Sequence, residues 1–517
     1  MSQATFFGHP RGLAVLFFAE MWERFSFYGM RGLLILYLTK HWLFSDGVAA
    51  GIYASYAALV YLMPVIGGLL ADRYLGFRKA VTIGAVLLCL GHLGMAFEGE
   101  PAAVVQGVVQ QDTLALQVFY LSLGLIIVGV GLLKPNISSI VGSLYAADDP
   151  RRDAGFTLFY MGINVGAVVA SLTCGYIGEV YGWAYGFGLA GVGMLVGLVT
   201  FVRGRGLLEG HGEPPDEARL AARRFGLSLQ TRIVFGALVM VGVAWWLMQN
   251  QAVVGALLSW ASLAAVAGIL IYMFVACDAG QRRSMGLLLF LTAYSVIFWA
   301  LFEQAGSSMN LFADRNVDRE ILGFQVATAQ LQFFNPGFII LLAPLFSMLW
   351  QGLGRAGREP STAAKFGLGV TQAGLGFLIL VYGISLADET GQVAMIWLAL
   401  AYLVHTTGEL CLSPVGLSMV TRLAVSQVVG LMMGVWFLAS SVAHYVAGLI
   451  AAVASVDGGG EASARDSLLV YQDTFYTVGM VGLVLGLVLL LIAPLLTRWV
   501  FSPESASSGS SPERSTS

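Results

Sequence analysis

Charged residues are scarce in this chain. Only 11% of its 517 residues are Asp, Glu, Lys or Arg, against about 25% in soluble domains. Hydrophobic residues make up 57% of the chain, and its mean hydropathy is +0.79. This composition excludes an ordinary soluble domain and is typical of a protein that crosses a bilayer many times.

Cysteine is also rare, and the cysteines are not clustered. They lie singly in apolar segments, at Cys89, Cys174, Cys277 and Cys411. This pattern predicts neither a metal site nor a disulfide framework, and we expect no cofactor. The net charge of −3 gives no reason to expect a nucleic-acid partner. We also expect no cleavable signal peptide, because the first apolar segment is long and carries internal charges.

What the chain has in abundance is apolar runs of the ~20 residues that a membrane helix needs. Fourteen such runs lie near residues 11–38, 48–71, 80–97, 113–141, 154–175, 181–202, 233–249, 253–276, 285–312, 325–350, 366–386, 392–420, 428–453 and 468–500. We therefore predict an all-α polytopic membrane protein of two six-helix bundles plus two inserted helices. The predicted units are an N-terminal bundle (1–202), a linker with the inserted pair (203–283), a C-terminal bundle (284–501) and a disordered tail (502–517).

Loop charges predict the orientation. The side that would hold the N-terminus carries 20 of the 27 Lys and Arg residues, and the opposite side carries four. The remaining three are Arg24, Arg31 and Lys134, inside predicted helices. By the positive-inside rule both termini are predicted to be cytoplasmic, with the chain in the cell (inner) membrane. Two six-helix halves are typical of a secondary transporter whose site lies between the halves.

The first helix carries four charges in the stretch AEMWERFSFYGMR, residues 19–31. Glu20, Glu23, Arg24, Tyr28 and Arg31 recur every three or four residues, so they share one helix face. A charge near the bilayer centre costs about 2.5–3.5 kcal/mol, and such residues face a bundle interior or a wet cavity. A single Glu–Arg pair could be a packing salt bridge, but four charges on one face favour a functional lining.

Three further charges lie in predicted membrane helices. Lys134 is in the fourth helix of the first half, and Glu303 and Glu409 are in the first and fourth helices of the second half. Because the two halves are repeats, these positions and helix one are predicted to surround one cavity. Four glutamates and three cations leave that cavity one proton short of neutrality. Such a balance suits a carboxylate that exchanges a proton for a cationic partner as the cavity changes shape.

The segment GGLLADRYLGFRK, residues 67–79, follows the second helix and resembles the G-x-x-x-D-R-x-G-R-[KR] loop of the major facilitator superfamily. An aspartate at a helix end beside arginines can act as a gate. Asp72 and Arg73 are therefore candidate gating residues. The alternative is a basic loop that only anchors the topology.

Further motifs resemble the proton-dependent oligopeptide transporter family. EMWERFSFYG is similar to its E-x-x-E-R-F-x-Y-Y-G motif, and FTLFYMGINVGA is similar to its F-Y-x-x-I-N-x-G signature. GLLKPNIS, FWALFEQAGSS, FFNPGF, GELCLSPVGLS and GVWFLASS are similar to later segments. The resemblance implies a major facilitator fold of the bacterial type that imports di- and tripeptides with protons, as a monomer by analogy with the fold.

The resemblance also implies roles for individual residues. Those implied to attract the peptide carboxylate are Arg24, Arg31 and Lys134. Those implied to hold the peptide amino group are Asn164, Asn335 and Glu409. The side-chain pockets are implied to be lined by Tyr28, Tyr61, Trp299, Trp436 and Ser440. Proton coupling is implied for Glu20, Glu23, Arg24 and Glu303, with Glu303 also facing the substrate. Lys134 and Glu409 are expected to pair across the empty cavity and help close its cytoplasmic side.

The sequence departs from the family pattern at two positions. Phe27 replaces a motif tyrosine, and Ala54 stands where animal members carry a histidine. His405 and His444 are interpreted as packing residues outside the site. The alternative substrates are an anion, a drug or a modified amino acid. An enzyme or a receptor is not predicted, because no nucleophile–base constellation or large extramembrane domain is visible.

Overall fold

The computed structural model describes residues 5–146, 148–224, 226–456 and 464–500, and most of them lie in long helices. The predicted disordered tail, residues 502–517, lies outside the described residues. The α-helices are α1 (Gly12–Lys40), α2 (Asp46–Leu70), α3 (Phe77–Met95), α4 (Thr113–Ser143), α5 (Arg152–Tyr181), α6 (Trp183–Arg203), α7 (Glu217–Ala221), α8 (Leu229–Met248), α9 (Gln251–Ala276), α10 (Ala279–Phe302), α11 (Ser308–Asn316), α12 (Phe334–Arg355), α13 (Thr362–Ser385), α14 (Met395–Leu423), α15 (Val429–Val453) and α16 (Ala464–Val500).

Short elements complete the described chain. A π-helical turn covers Ala71–Leu75, and 3₁₀ turns cover Gly204–Leu208, Glu303–Gly306, Thr328–Phe333 and Ser426–Val428. The antiparallel strand pairs are β1 (Ala103–Val105) with β2 (Val108–Gln110), β3 (Arg223–Arg224) with β4 (Leu227–Ser228), and β6 (Glu320–Ile321) with β7 (Phe324–Gln325). One parallel pair joins β5 (Val317–Asp318) to β8 (Val393–Ala394). All of these strands lie in loops between the long helices.

Thirteen helical segments of the described chain are long and apolar enough to cross a bilayer. Helix α1 is not among them, although its 29 residues extend about 43 Å. Its apolar character is reduced by the four charges that the sequence analysis singled out. Counting α1 gives fourteen spans, and the prediction of an all-α polytopic membrane protein is confirmed.

The long helices pack as two groups. Helices α1 to α6 pack on one another, and α10 to α16 form a second group around α13, α14 and α16. Of the inserted pair, α8 packs against α4, whereas α9 contacts α2, α10 and α15. Helix α9 is largely exposed, as expected for a helix that faces lipid. We call the end with the start of α1 and the end of α16 the termini side, and the opposite end the far side.

The predicted run 285–312 is not one continuous helix. Helix α10 ends at Phe302, a 3₁₀ turn begins at Glu303, and α11 begins at Ser308. The break lies where α2 comes close: a Cβ atom added at Gly306 would lie 1.8 Å from the Tyr53 hydroxyl. Only glycine permits that approach. The break therefore places a carboxylate at a helix interruption between the halves, as in transporters built from discontinuous helices.

Helices α2 and α15 make the closest long contact between the two halves. A Cβ atom added at Gly448 would lie 2.1 Å from the Ala54 side chain. Ser441 Oγ donates to the carbonyl oxygen of Ala58 at 2.7 Å in the same interface. Close packing therefore explains why Ala54 is small, because a histidine at this position would collide with α15.

Ion pairs and capping bonds join the halves on the far side. Arg315 donates to both oxygens of buried Asp46, at 2.6 and 2.7 Å. Lys40 Nζ lies 2.6 Å from Asp314. Glu179 at the end of α5 accepts hydrogen bonds from the backbone of the 3₁₀ turn Thr328–Phe333. These contacts hold the far side closed.

On the termini side, the linker lies against the turn between α2 and α3. The Arg78 backbone N–H donates to the Gly212 carbonyl at 2.8 Å, and its guanidinium pairs with Glu213. The guanidinium of Arg219 lies 5.0 Å from the centre of the Tyr74 ring. An arginine of the gate-like segment is therefore bound to the linker.

The loop between α4 and α5 carries a compact ion pair outside the membrane spans. Arg151 donates to both oxygens of Asp149, and these hydrogen bonds lower the pKa of Asp149 to about 2. The same guanidinium donates to the Gly8 carbonyl at 3.1 Å. This contact ties the segment before α1 to the loop.

Candidate functional site

A cavity of about 380 Å³ lies between the two halves, within the roughly 300–1,000 Å³ that small-molecule sites occupy. Helices α1, α2, α4 and α5 form one wall, and α10, α12, α14, α15 and the 3₁₀ turns before α11 and α12 form the other. All twelve residues that the sequence analysis assigned to substrate binding line this cavity: Arg24, Tyr28, Arg31, Tyr61, Lys134, Asn164, Trp299, Glu303, Asn335, Glu409, Trp436 and Ser440.

Three charges of α1 form a compact group that we call the α1 cluster: Glu20, Glu23 and Arg24. Arg24 Nη2 donates to Glu23 Oε1 at 2.5 Å, and Arg24 Nε also contacts the second Glu23 oxygen. Glu20 Oε1 lies 3.4 Å from Arg24 Nε, one turn away. The three side chains are at most 2% exposed. Of the three, only Arg24 reaches the cavity wall, so the two carboxylates lie behind it.

Phe27 packs against the arginine of this cluster. The Arg24 guanidinium carbon lies 4.7 Å from the centre of the Phe27 ring. A cation over an aromatic face is attracted by the ring quadrupole. The Phe27 ring, which replaces the motif tyrosine, does not line the cavity and packs against Arg24 instead.

A second group of charges, which we call the inter-half cluster, comprises Arg31, Glu303 and His444. Arg31 Nη2 pairs with Glu303 Oε2, which joins α1 to the 3₁₀ turn after α10. Arg31 Nε also donates to the Tyr53 hydroxyl at 2.6 Å. His444 Nε2 lies 3.4 Å from the other Glu303 oxygen, Oε1. This cluster therefore spans both halves, unlike the α1 cluster.

Lys134 and Glu409 face the cavity from opposite halves. Lys134 forms no ion pair with any residue that the structure describes, and its Nζ lies 5.1 Å from the centre of the Tyr61 ring. Glu409 Oε2 accepts a hydrogen bond from Asn335 at 3.0 Å. The expected Lys134–Glu409 contact is not formed in this conformation. Their pairing in another conformation stays a prediction.

Amides and aromatic rings fill the wall between these charges. Asn335 also donates to the Thr406 hydroxyl at 3.1 Å, and Asn164 donates to the Tyr160 carbonyl at 3.1 Å. Trp299 and Trp436 lie on the second half. The cavity therefore offers cations on one wall, carboxylates on the other and apolar surface between them. Such a site is matched to a small molecule with separated negative and positive ends.

The candidate gating residues Asp72 and Arg73 lie elsewhere. Both are exposed on the π-helical turn at the termini-side end of α2, and neither lines the cavity. Their role in gating stays a prediction.

The interpretation of the two histidines was right for one and wrong for the other. His405 is buried and its Nε2 lies 2.9 Å from the Ala373 carbonyl, so it links α14 to α13 as a packing residue. His444 instead lines the cavity and contacts Glu303. Its spacing gives a signal that sequence reasoning could have used, because His444 lies one helical turn after Ser440, which lies one turn after Trp436.

The fold and the cavity together define a secondary transporter, with two helical halves around a central charged site. Comparison with known proteins names the family. Residues 78–461 match the POT family. The chain is 35% identical over 492 residues to dipeptide and tripeptide permease A of Pectobacterium carotovorum, covering 95% of this chain and 92% of that relative. The chain therefore belongs to the POT family and is a membrane transporter, not an enzyme.

Solved structures agree with this assignment. The chain is similar to a crystal structure of a mutant peptide transporter POT in complex with alafosfalin, at 36% identity and a TM-score of 0.77, covering 97% of this chain and 98% of that one. It is also similar to a POT family transporter in complex with 5-aminolevulinic acid, at 30% identity and a TM-score of 0.79, covering 96% and 98%. Peptide transporters are thus the class of protein that this chain resembles over nearly its full length.

Proposed function

We propose that this protein is a proton-coupled symporter that imports di- and tripeptides by alternating access. The observation that carries the proposal is the opposition of Lys134 and Glu409 across one cavity, each without an ionic partner from the other wall in the described structure. A peptide has a carboxylate at one end and an ammonium at the other. It therefore fits between the two charges in one orientation.

Substrate contacts follow from this orientation. The peptide carboxylate lies toward Lys134, with Arg24 and Arg31 adding positive potential although both are already paired with glutamates. The ammonium lies toward Glu409, with the amide oxygen of Asn335 on the same wall and that of Asn164 on the opposite wall. The peptide side chains lie against Ser440 and the aromatic residues of the cavity, which are Tyr28, Tyr61, Trp299 and Trp436.

Proton coupling belongs to Glu20, Glu23, Arg24 and Glu303. Each of these glutamates is almost fully buried and lies beside an arginine. Burial disfavours an ionised carboxylate and a neighbouring cation favours it, so loss of the arginine contact favours proton uptake. Movement of the halves changes the Arg31–Glu303 contact directly, because the two residues are on different halves.

The proposed orientation follows the positive-inside rule. Both termini are cytoplasmic, the chain lies in the cell (inner) membrane, and the far side faces outward. The far-side contacts then correspond to a conformation closed to the outside. Pairing of Lys134 with Glu409, together with Asp72 and Arg73, closes the cytoplasmic side in the alternate conformation. The transporter acts as a monomer.

A second candidate is a family relative that carries another small zwitterion. This candidate is favoured by the related structure that contains 5-aminolevulinic acid. That compound also has an amino group and a carboxylate, so the same two charges could hold it. The two candidates differ in the distance between the charged ends and in the need for a peptide bond.

Purified protein in liposomes separates the candidates. A lower pH outside the liposomes than inside should drive accumulation of labelled dialanine, and a protonophore should abolish that accumulation. Lys134→Gln should abolish uptake, whereas Lys40→Gln should not, because Lys40 lies on the far side and 43% of its side chain is exposed. Uptake of 5-aminolevulinic acid without dialanine would favour the second candidate. Dialanine accumulation that is insensitive to the protonophore would contradict proton coupling.

A further inference from the structure

His444 on α15 occupies an unusual position for a buried histidine. Its side chain is 4% exposed and lies between Tyr61 of α2 and Glu303 of the 3₁₀ turn after α10. The Tyr61 and His444 rings stack with their centres 4.0 Å apart and an angle of 26° between their planes. The imidazole is therefore fixed in orientation, with each nitrogen facing a different group.

The two ring nitrogens can be assigned from their neighbours. Nδ1 lies 2.7 Å from the Ser440 carbonyl oxygen, which can only accept a hydrogen bond, so Nδ1 carries a hydrogen. In a neutral imidazole the other nitrogen, Nε2, then has a lone pair and no hydrogen. Nε2 is buried and faces Glu303 Oε1 at 3.4 Å, with no other hydrogen-bond partner among the described residues.

A neutral His444 beside an ionised Glu303 would thus bring two acceptors together in a buried site. Leaving such groups without a donor is unfavourable, and more so for a charged group. One additional proton removes the conflict, whether it is bound to Nε2 or to Oε1. We propose that His444 Nε2 and Glu303 Oε1 form a shared proton-binding site in this conformation.

The surrounding charges indicate where the proton resides. Arg31 from α1 pairs with Glu303 Oε2 and stabilises the ionised carboxylate. Lys134 from α4 lies 5.1 Å from the centre of the Tyr61 ring, and Glu409 from α14 lines the same cavity. With Arg31 bound to Oε2, the proton resides on Nε2 and His444 is an imidazolium. The neutral tyrosines Tyr53 and Tyr61 complete the surroundings from α2.

The consequence for transport rests on the proposed function. Loss of this proton leaves Nε2 and Oε1 in repulsion while Glu303 keeps its contact with Arg31. The protonation state of the site thus changes the contact between His444 on α15 and Glu303 in the 3₁₀ turn. Glu303 also pairs with Arg31, and that pair joins the two halves. His444 is on this account a proton-coupling residue in addition to the glutamates.

Two substitutions separate proton binding from packing. His444→Gln keeps a neutral N–H donor toward Glu303 but cannot titrate. His444→Phe keeps the ring that stacks on Tyr61 but has no nitrogen. His405→Gln is the matched control, because His405 is equally buried and hydrogen-bonded to a carbonyl but faces no carboxylate. Unfolding temperatures of all variants in detergent identify any that fail to fold.

The first measurement is dialanine exchange between the two sides of liposomes at equal pH. Wild type and His405→Gln should change rate by about tenfold across roughly pH 5–8, where histidines titrate, and His444→Gln by less than about twofold. A wild-type pH profile in His444→Gln would overturn the proposal.

The second measurement does not depend on transport. Ring-nitrogen NMR of ¹⁵N-histidine-labelled protein in detergent should show one imidazolium signal that is lost in both His444→Gln and Glu303→Gln but kept in His405→Gln. Persistence of that signal in Glu303→Gln would also overturn the proposal. If wild type shows the signal but does not accumulate dialanine, the proposed function fails and the proton site stands.

Discussion

The two buried clusters of carboxylate and arginine differ in origin: the α1 cluster comes from one helix, and the inter-half cluster combines residues of both halves. The α1 cluster joins residues within one turn of a single helix, so its contacts survive any rigid movement of the halves. The inter-half cluster joins α1 to the second half, so the same movement must change it. We therefore expect the inter-half cluster, unlike the α1 cluster, to respond directly to relative movement of the halves.

The largest expected effect comes from Arg24, because its removal leaves two buried carboxylates without a cation. Arg24→Leu should lower the free energy of unfolding by about 3–5 kcal/mol and abolish both exchange and accumulation. Arg24→Lys keeps the charge but loses the two-nitrogen contact with Glu23 and should be intermediate. Thermal unfolding in detergent provides the measurement. A stable Arg24→Leu protein would mean that the two glutamates are already neutral in the wild type.

Glu23→Gln should have a narrower effect. The amide keeps the shape of a protonated carboxyl group next to Arg24 and cannot release a proton. Accumulation of dialanine under a pH gradient should be lost, and exchange without a gradient should remain within a few-fold of wild type. The control is Glu213→Gln, since Glu213 is a half-exposed carboxylate that pairs with Arg78 outside the membrane. Accumulation that survives in Glu23→Gln would remove the α1 cluster from the coupling mechanism.

Arg31→Ala tests the inter-half cluster and should lower substrate affinity. A charge-assisted hydrogen bond contributes about 1.5–3 kcal/mol, so the dialanine half-saturation should rise by about one to two powers of ten. A peptide amide, which lacks the C-terminal carboxylate, should bind poorly to wild type and lose little more in the variant. Equal losses for the two ligands would mean that Arg31 acts through Glu303 and not on the carboxylate.

The same comparison shows what the sequence could and could not predict. The Glu20–Arg24 contact followed from helical spacing, because residues four apart on one helix are neighbours. The contact between the consecutive residues Glu23 and Arg24 did not follow from that spacing. That the first and fourth helix of each half line the cavity followed from the repeat relation, and the predicted cavity residues on α2, α5, α12 and α15 followed from the family resemblance. The break at Glu303 did not, because it depends on the approach of Tyr53 to Gly306 from another helix.

The side-chain contacts of the cavity residues could also not be predicted from the sequence. Charge counting assigned Glu20 and Glu23 to the cavity, but both lie behind Arg24. Charge counting also does not show which groups touch, and the predicted Lys134–Glu409 pair is not formed in this conformation. The sequence alone favours a packing role for His444, because a lone intramembrane histidine is usually a packing residue. Its contact with Glu303 depends on the crossing of α15 and α2, where glycine and alanine allow close approach.

The smallest expected effect concerns Lys134 and Glu409, which share the cavity without touching. In a double-mutant cycle of Lys134→Ala and Glu409→Ala, the coupling free energy should be below about 0.5 kcal/mol while the far side stays closed. Asp46→Asn removes one oxygen of the far-side contact with Arg315 and should favour the alternate conformation. In that background the coupling should rise to about 1 kcal/mol, because closing the termini side brings the two charges together. Denaturant unfolding in detergent measures all of these values.

The control for this cycle is Lys40→Gln, which removes an exposed far-side ion pair that contributes at most about 1 kcal/mol. It should leave the coupling between Lys134 and Glu409 unchanged, because the buried Asp46–Arg315 contact still holds the far side. A large coupling in the wild-type background would mean that the two residues meet while the far side is closed. No coupling in either background would mean that the termini side is closed by other residues, and that Lys134 and Glu409 act only on the substrate.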